Sequence, residues 1–180
     1  MLHSDGDWRA ARTVHFVGVG GIGMSALARL VAARGAVVTG CDIAASELTE
    51  RLRQEGIGVE LRHDAAHVDG IDLLVVSSAV PPESDEVQAA RQGGVPVVKR
   101  ADLLGSLLNE ARGVAVAGTH GKTTTTAMVA LGLVVAGKDP TVALGGELDE
   151  IGGNARAGSG DLFVAEADEY DGSFLKLRPE

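Results

Sequence analysis

Residues 13–42 read TVHFVGVGGIGMSALARLVAARGAVVTGCD. An apolar run, Val14–Val19, leads into glycines and then into Ile22–Arg34, whose apolar residues recur at helical spacing. Ala36–Cys41 is apolar again and ends on Asp42. Strand, glycine turn, helix, strand is the opening of a parallel α/β sheet, because two parallel strands need a crossover and a helix supplies it. Gly18, Gly20 and Gly23 satisfy G-x-G-x-x-G. The first glycine permits the tight turn, the second lets backbone approach a diphosphate, and the third lets helix and strand pack closely. The helix start then offers amides and a partial positive charge to that diphosphate. Asp42 follows the last glycine by about 20 residues, where a carboxylate commonly meets a ribose hydroxyl.

The alternation continues outward. Glu47–Glu55 reads as a helix, Val59–Leu61 as a short strand, and IDLLVVSSAV (71–80) as a buried strand stopped by Pro81 and Pro82. Glu83–Arg91 is helical, Val95–Val98 a strand, and Ala101–Glu110 a connecting helix. Residues 1–12 show no periodicity and are expected to form a loose tail, with Trp8 able to dock on the surface.

The pattern then restarts. VAVAGTHGKTTTTAMV (114–129) is a strand, Val114–Ala117, a glycine loop, and a helix over Lys122–Ala136. Successive amides in such a loop surround phosphate oxygens, Lys122 gives a point charge to the outer phosphates, and the Thr123 hydroxyl completes a Mg²⁺ shell. A full P-loop pattern wants glycine where this chain has Val116, so only its second half is present. Thr141–Leu144 and Leu162–Ala165 read as strands, and the glycine-rich segment Gly145–Gly160 as a mobile loop. LFVAEADEYDGSF (162–174) ends its apolar run in carboxylates. Glu166 follows the strand directly and is the foremost candidate for a nucleotide's Mg²⁺, while Asp168, Glu169 and Asp171 read equally well as an acidic solvent loop.

Composition bounds the function. Hydrophobic residues make up 45% of the 180 and aromatics only 3%, so the core is Val, Ala, Leu and Ile, which suits buried parallel strands. A formal net charge of −9 argues against a nonspecific grip on nucleic acid. Cys41, the one cysteine, cannot close an internal disulfide and reads as a small core residue without a basic neighbour to activate it. No basic-then-apolar leader opens the chain, and the apolar run Met128–Ala136 is too short for a bilayer, so no membrane and a cytoplasmic setting are expected. The fold class is therefore α/β: a Rossmann-like parallel-sheet unit, then the first part of a P-loop-type α/β ATPase domain.

Two nucleotide loops on successive units make an odd dehydrogenase and an odd kinase. HFVGVGGIGMSALA (15–28), SSAV (77–80), AVAGTHGKTTTT (115–126), GGNA (152–155) and EADEYDGSFL (166–175) together resemble the motifs of the Mur ligases, in that family's order, and within it the alanine-adding branch. Tyr170 stands where the family often has serine. The resemblance implies a UDP-substrate domain over 13–108 and the N-terminal part of an ATP-binding domain over 109–180. It further implies that the central domain, and a C-terminal domain that closes the site, continue past Pro179.

It also implies ATP-dependent joining of L-alanine to UDP-N-acetylmuramate through an acyl phosphate, with ATP and Mg²⁺ required. On this likeness Gly118, Thr119, His120, Gly121, Lys122, Thr123 and Thr124 hold ATP, Lys122 and Glu166 are catalytic, and Thr123 and Glu166 bind the metal. Gly18, Gly20, Gly21, Ile22, Gly23, Met24, Ser25, Asp42, His63, Ser77 and Ser78 hold the UDP-sugar rather than NAD. His120 reads equally as a phosphate contact or a spacer. His63 and His67, in LRHDAAH, resemble a segment lining the UDP site, although a surface role suits His67 slightly better, and His15 reads as structural or near that site. The rival readings are a non-catalytic UDP-sugar-binding fragment and an NAD-dependent dehydrogenase.

Overall fold

The computed structural model describes residues 8–167 and 176–179, which divide into two compact units, 1–100 and 101–180. Asp168, Glu169, Tyr170 and Asp171 lie outside the described residues.

In the first unit the elements run β1 (Thr13–Val17), α1 (Ile22–Ala33), β2 (Val37–Cys41), α2 (Glu47–Gln54), β3 (Gly58–Glu60), a 3₁₀ turn (Ala65–Val68), β4 (Leu73–Val76), α3 (Asp85–Gly93) and β5 (Val97–Lys99). The five strands form one parallel sheet in the order β3-β2-β1-β4-β5. The chain leaves β1 in one direction and returns from β4 in the other. The C-terminal ends of β1 and β4 therefore flank a topological switch point, where ligands of such sheets bind.

Strand β1 stops at Val17, before Gly18, and the 71–80 run yields a strand only at Leu73–Val76, so both expected strands are shorter than their apolar stretches. The surplus residues turn over the top of the sheet: the amides of Gly18 and Val19 donate to the Cys41 carbonyl at 2.8 and 3.1 Å. One face of the sheet is an apolar cluster of Val17, Cys41, Leu74 and Val76 under Val68 and Val87. Register makes His15 a neighbour of Thr39 and Leu74 on that same face, since side chains two apart share a side. Helix α2 starts at Ser46, whose hydroxyl accepts from the Thr49 amide while the Thr49 hydroxyl accepts from the Ser46 amide, a reciprocal cap that fixes its first turn. Trp8 does dock, with the Arg34 guanidinium 4.9 Å above its ring.

The second unit holds α4 from Ala101 onward (Arg100–Leu108), β6 (Arg112–Val116), α5 (Lys122–Val135), β7 (Thr141–Leu148), a 3₁₀ turn (Asp149–Ile151), β8 (Gly153–Arg156) and β9 (Leu162–Glu166). The sheet order is β6-β9-β7-β8, with the first three strands parallel and β8 antiparallel to β7. Here the expected mobile loop at 145–160 is corrected: β7 runs on to Leu148 and returns through β8 as a hairpin with a register shift between Ala143 and Leu148. The irregularity sits where the glycines are, which is where a bulge is cheapest. Asp139 anchors the far end of this hairpin by accepting from Arg156 and from the Ser159 amide and hydroxyl. These hydrogen bonds hold its carboxyl well below the usual carboxylate range, the Ser159 amide contributing most.

Candidate functional site

Two sites emerge, one in each unit. In the first, Gly18 adopts φ +81°, a left-handed conformation that turns the chain from β1 toward α1. A Cβ placed on Gly20 would lie 2.8 Å from Asp42 Oδ2, and the Gly20 amide donates to that same oxygen at 2.8 Å. The Asp42 Oδ1 accepts from the Ile43 amide at 2.8 Å. Asp42 thus braces the glycine loop from the end of β2, in addition to any contact with a ligand.

Helix α1 follows the N-cap Gly21, with no side-chain cap and no acidic residue in its own first turn, so Asp42 is the anion placed nearest its positive end. Arg100 reaches the same turn: a Cβ on Gly23 would meet its Nη1 at 2.9 Å. The sequence reading missed Arg100, although a basic residue just after β5 at the ligand-binding edge of a parallel sheet was a usable signal.

The other first-unit candidates separate. Ser77 lies beside Gly18, 3.3 Å from where its Cβ would be, and its hydroxyl accepts from the Ala79 amide at 3.3 Å; Ser78 is exposed. Gly21 is exposed and Ile22 half-buried. Met24 is buried in the core, and the Ser25 hydroxyl is buried and donates to the Ile22 carbonyl at 3.0 Å.

His63 belongs to a separate polar cluster. Its Nδ1 lies 2.7 Å from Oε1 of Glu86, a carboxylate wholly shielded from solvent. Two expectations are corrected here. The side chain of His67 is 7% exposed, not superficial, and stacks on His15 with ring centroids 4.9 Å apart. Cys41 does have a basic neighbour, His63 Nδ1, 3.5 Å from its sulfur. Its thiol is nevertheless pushed above the ordinary range, first by burial and then by the Glu86 carboxylate. Burial, with His67 beside it, lowers His15 to about 4, so that imidazole is neutral. Glu86 escaped the sequence reading because an acid on an amphipathic helix gives no sign that it faces inward.

In the second unit the glycine loop leaves β6 and enters α5 at Gly121, φ +72°. Lys122 Nζ donates to the Gly118 carbonyl at 2.8 Å, closing the loop on itself. Thr119, His120, Gly121 and Thr124 are exposed around it, and the Thr126 hydroxyl turns inward to the Lys122 carbonyl at 2.8 Å. Glu166 ends β9, the strand between β6 and β7. Its Oε2 accepts from the Thr123 hydroxyl at 3.1 Å and its Oε1 from the Gly145 amide at 2.6 Å. The structure therefore brings Lys122, Thr123 and Glu166 to one end of one sheet. Gly145 was missed as a participant; paired glycines at the end of a strand signal close approach of another group. A Cβ there would fall 2.7 Å from Glu166 Oε2. A carboxylate and a hydroxyl converging beside amides and an ammonium form an oxygen-rich set suited to Mg²⁺ and a polyphosphate.

Residues 13–112 match the family model described as Mur ligase family, catalytic domain. The chain belongs to the Mur ligase family. It is 55% identical over 170 residues to the UDP-N-acetylmuramate–L-alanine ligase of Symbiobacterium thermophilum, covering 94% of this chain and 35% of that protein. Among solved structures, UDP-N-acetylmuramate-alanine ligase from Thermotoga maritima superposes with TM-score 0.88 at 40% identity, covering 93% of this chain and 39% of that one. A UDP-N-acetylmuramate:L-alanyl-gamma-D-glutamyl-meso-diaminopimelate ligase from Neisseria meningitides gives 0.86 at 33% identity, over 94% of this chain and 59% of that one. The Mur ligase chain thus spans about a third of the length of the curated relatives it matches.

Proposed function

We propose that residues 13–108 hold the UDP part of UDP-N-acetylmuramate and that residues 109–180 supply the ATP loop of an ATP-dependent ligase joining L-alanine to the muramyl carboxylate, in the synthesis of peptidoglycan precursors. The observation that carries this reading is the meeting of Lys122, Thr123 and Glu166 at one sheet end, in a chain that already has a complete dinucleotide-type loop on another sheet. A dehydrogenase would have use for the first loop alone. The names borne by relatives about half identical to this chain support the choice of substrate and amino acid.

A carboxylate resists attack by an amine because its oxygen is a poor leaving group. The muramyl carboxylate oxygen attacks the γ-phosphorus of ATP, the bond to ADP breaks, and an acyl phosphate results. The alanine amine then adds to the acyl carbon, phosphate departs with the C–O electron pair, and the nitrogen loses a proton. The first step brings two anions together, so the residues that matter are those that offset their repulsion. On nucleotide binding Lys122 exchanges the Gly118 carbonyl for phosphate oxygens, while loop amides of residues 118–122 and the start of α5 hold the remainder. Thr123 and Glu166 are the residues to hold Mg²⁺, which when bound neutralises charge on the phosphoryl oxygens. Gly145 keeps Glu166 aimed by its amide.

No described helix is long and apolar enough to cross a membrane, and the reading places the protein in the bacterial cytoplasm, working without nucleic acid. Calorimetric titration of the 180-residue chain tests it. UDP-N-acetylmuramate binds, and the Gly20→Ala variant binds it more weakly; NAD does not compete. Competition by NAD, or binding indifferent to Gly20→Ala, overturns the assignment of the first loop.

A further inference from the structure

We infer that the cluster of Cys41, His63, His67 and Glu86 beneath the first glycine loop is a site for a transition-metal dication of the Zn²⁺ class, separate from the ATP-associated Mg²⁺. The inference stands on the geometry of the first unit and does not need the ligase reading.

The donor set is the first argument. One thiol, two imidazoles and a carboxylate are the ligand types that tetrahedral Zn²⁺ takes, and they do not suit Mg²⁺. Spacing is the second. Ligands about 2.0–2.3 Å from a tetrahedral metal lie roughly 3.3–3.8 Å from one another. Cys41 Sγ is 3.5 Å from both His63 Nδ1 and Glu86 Oε1, and His67 Nδ1 is 3.7 Å from the same Glu86 oxygen. His63 Nδ1 and Glu86 Oε1, 2.7 Å apart, share a hydrogen bond that a metal replaces. Ligand atoms of Cys41, His63 and Glu86 lie within 4.8 Å of one another, and so do those of His15, Cys41 and His67.

The third argument is what the cluster leaves unsatisfied. Both ring nitrogens of His67, Nε2 of His15 and Oε2 of Glu86 are buried without a hydrogen-bond partner among the described residues. Glu86 is 0% exposed and His15 3%. Buried polar groups are nearly always paired, and an unpaired carboxylate oxygen beside unpaired imidazole nitrogens points to a ligand that the cluster can take up.

The surroundings complete a metal-site pattern. With Nδ1 on the metal, His67 carries its proton on Nε2, 3.5 Å from Glu60 Oε2, and a small approach of that carboxylate would make the hydrogen bond that orients a ligating ring. His63 carries its proton on Nε2 likewise, and the bound thiol gives up its proton to solvent. His67, with His15, Thr39, Glu60 and Ala66, also lines a cavity of about 500 Å³. Because the Cys41 carbonyl holds the amides of Gly18 and Val19, a metal on its sulfur would stiffen the base of the glycine loop.

The test is a Co²⁺ and Zn²⁺ titration of the untagged 180-residue chain in excess Mg²⁺. One equivalent of Co²⁺ binds with a thiolate-to-cobalt charge-transfer band and the visible absorption of a tetrahedral complex, Zn²⁺ displaces it, and Zn²⁺ raises the melting temperature. Cys41→Ser abolishes the charge-transfer band, and His63→Gln, which keeps a polar group beside Glu86, weakens binding at least tenfold in a chain whose circular-dichroism spectrum is unchanged. Cobalt bound without a thiolate band, binding indifferent to both variants, or binding lost instead in Glu166→Gln overturns the proposal.

Discussion

Val116 and Glu166 are register partners on the adjacent parallel strands β6 and β9. The glycine loop that leaves one strand and the carboxylate that ends the other therefore emerge at the same level of the sheet. Side chains 43 residues apart in sequence, Thr123 and Glu166, meet at 3.1 Å as a result. The chemistry of the second unit follows from that pairing, because a parallel sheet delivers all its strand ends to one edge.

Lys122 is the cation at that edge. On the proposed function, Lys122→Ala should lower phosphoryl transfer on the order of 10²-fold or more, as removal of single electrostatic donors does elsewhere. Phosphate release from ATP in the presence of both other substrates measures it. An unchanged rate would remove Lys122 from the mechanism.

Gly145→Ala asks whether the aim of Glu166 matters. The new methyl would fall 2.7 Å from Oε2 and 3.1 Å from Cδ of Glu166, so the carboxylate must swing away from Thr123. The expected outcome is roughly tenfold weaker Mg²⁺-dependent nucleotide binding, or about 1.4 kcal/mol, with the circular-dichroism spectrum unchanged. Gly152→Ala, where no heavy atom lies within 4 Å but φ is +81°, is the contrasting variant. It should reduce stability through backbone strain and leave the Mg²⁺ dependence alone.

The order of strands and helices was readable because its signals are local. Glycines at 18, 20 and 23 mark one turn, and Lys122 with Thr123 marks the other. An acid directly after the run Leu162–Ala165 names Glu166. The β7–β8 hairpin was not readable, since Gly145, Gly146, Gly152 and Gly153 interrupt the alternation by which a strand is recognised. Nor was the burial of Glu86. It follows from His63, 23 residues away, and from Cys41, 45 residues away, so tertiary partners decide it and no helical pattern records it.

Acid sensitivity should trace in part to Asp72. Its Oδ2 accepts from the Arg12 and Thr13 amides at 2.8 and 2.9 Å and from the Thr13 hydroxyl at 2.9 Å, stitching the start of β1 to the turn before β4. These bonds, the Thr13 amide foremost, hold its carboxyl below the ordinary range. A depressed carboxylate contributes stability that is fully present above its unfolded pKa of about 3.9 and is lost as the pH falls through the lower folded value. Asp72→Asn should therefore melt lower than wild type at pH 7, and the gap should close below about pH 4. A gap that stays constant with pH would assign the effect to shape alone.

Asp42 offers the sharpest discrimination in the first unit. The sequence pattern puts a ribose hydroxyl on this carboxylate, whereas the structure puts the Gly20 amide on Oδ2 and the Ile43 amide on Oδ1. An asparagine keeps an oxygen that accepts from Gly20, while alanine keeps none. If the carboxylate acts by bracing the loop, Asp42→Ala should weaken UDP-N-acetylmuramate binding about tenfold, near the 1.5 kcal/mol lower bound for a hydrogen bond to a charged group. Asp42→Asn should then retain most of the affinity. Calorimetry on the two variants separates the roles. Equal losses in both would mean that the charge itself touches the ligand, and the brace would then be only the loop's resting arrangement.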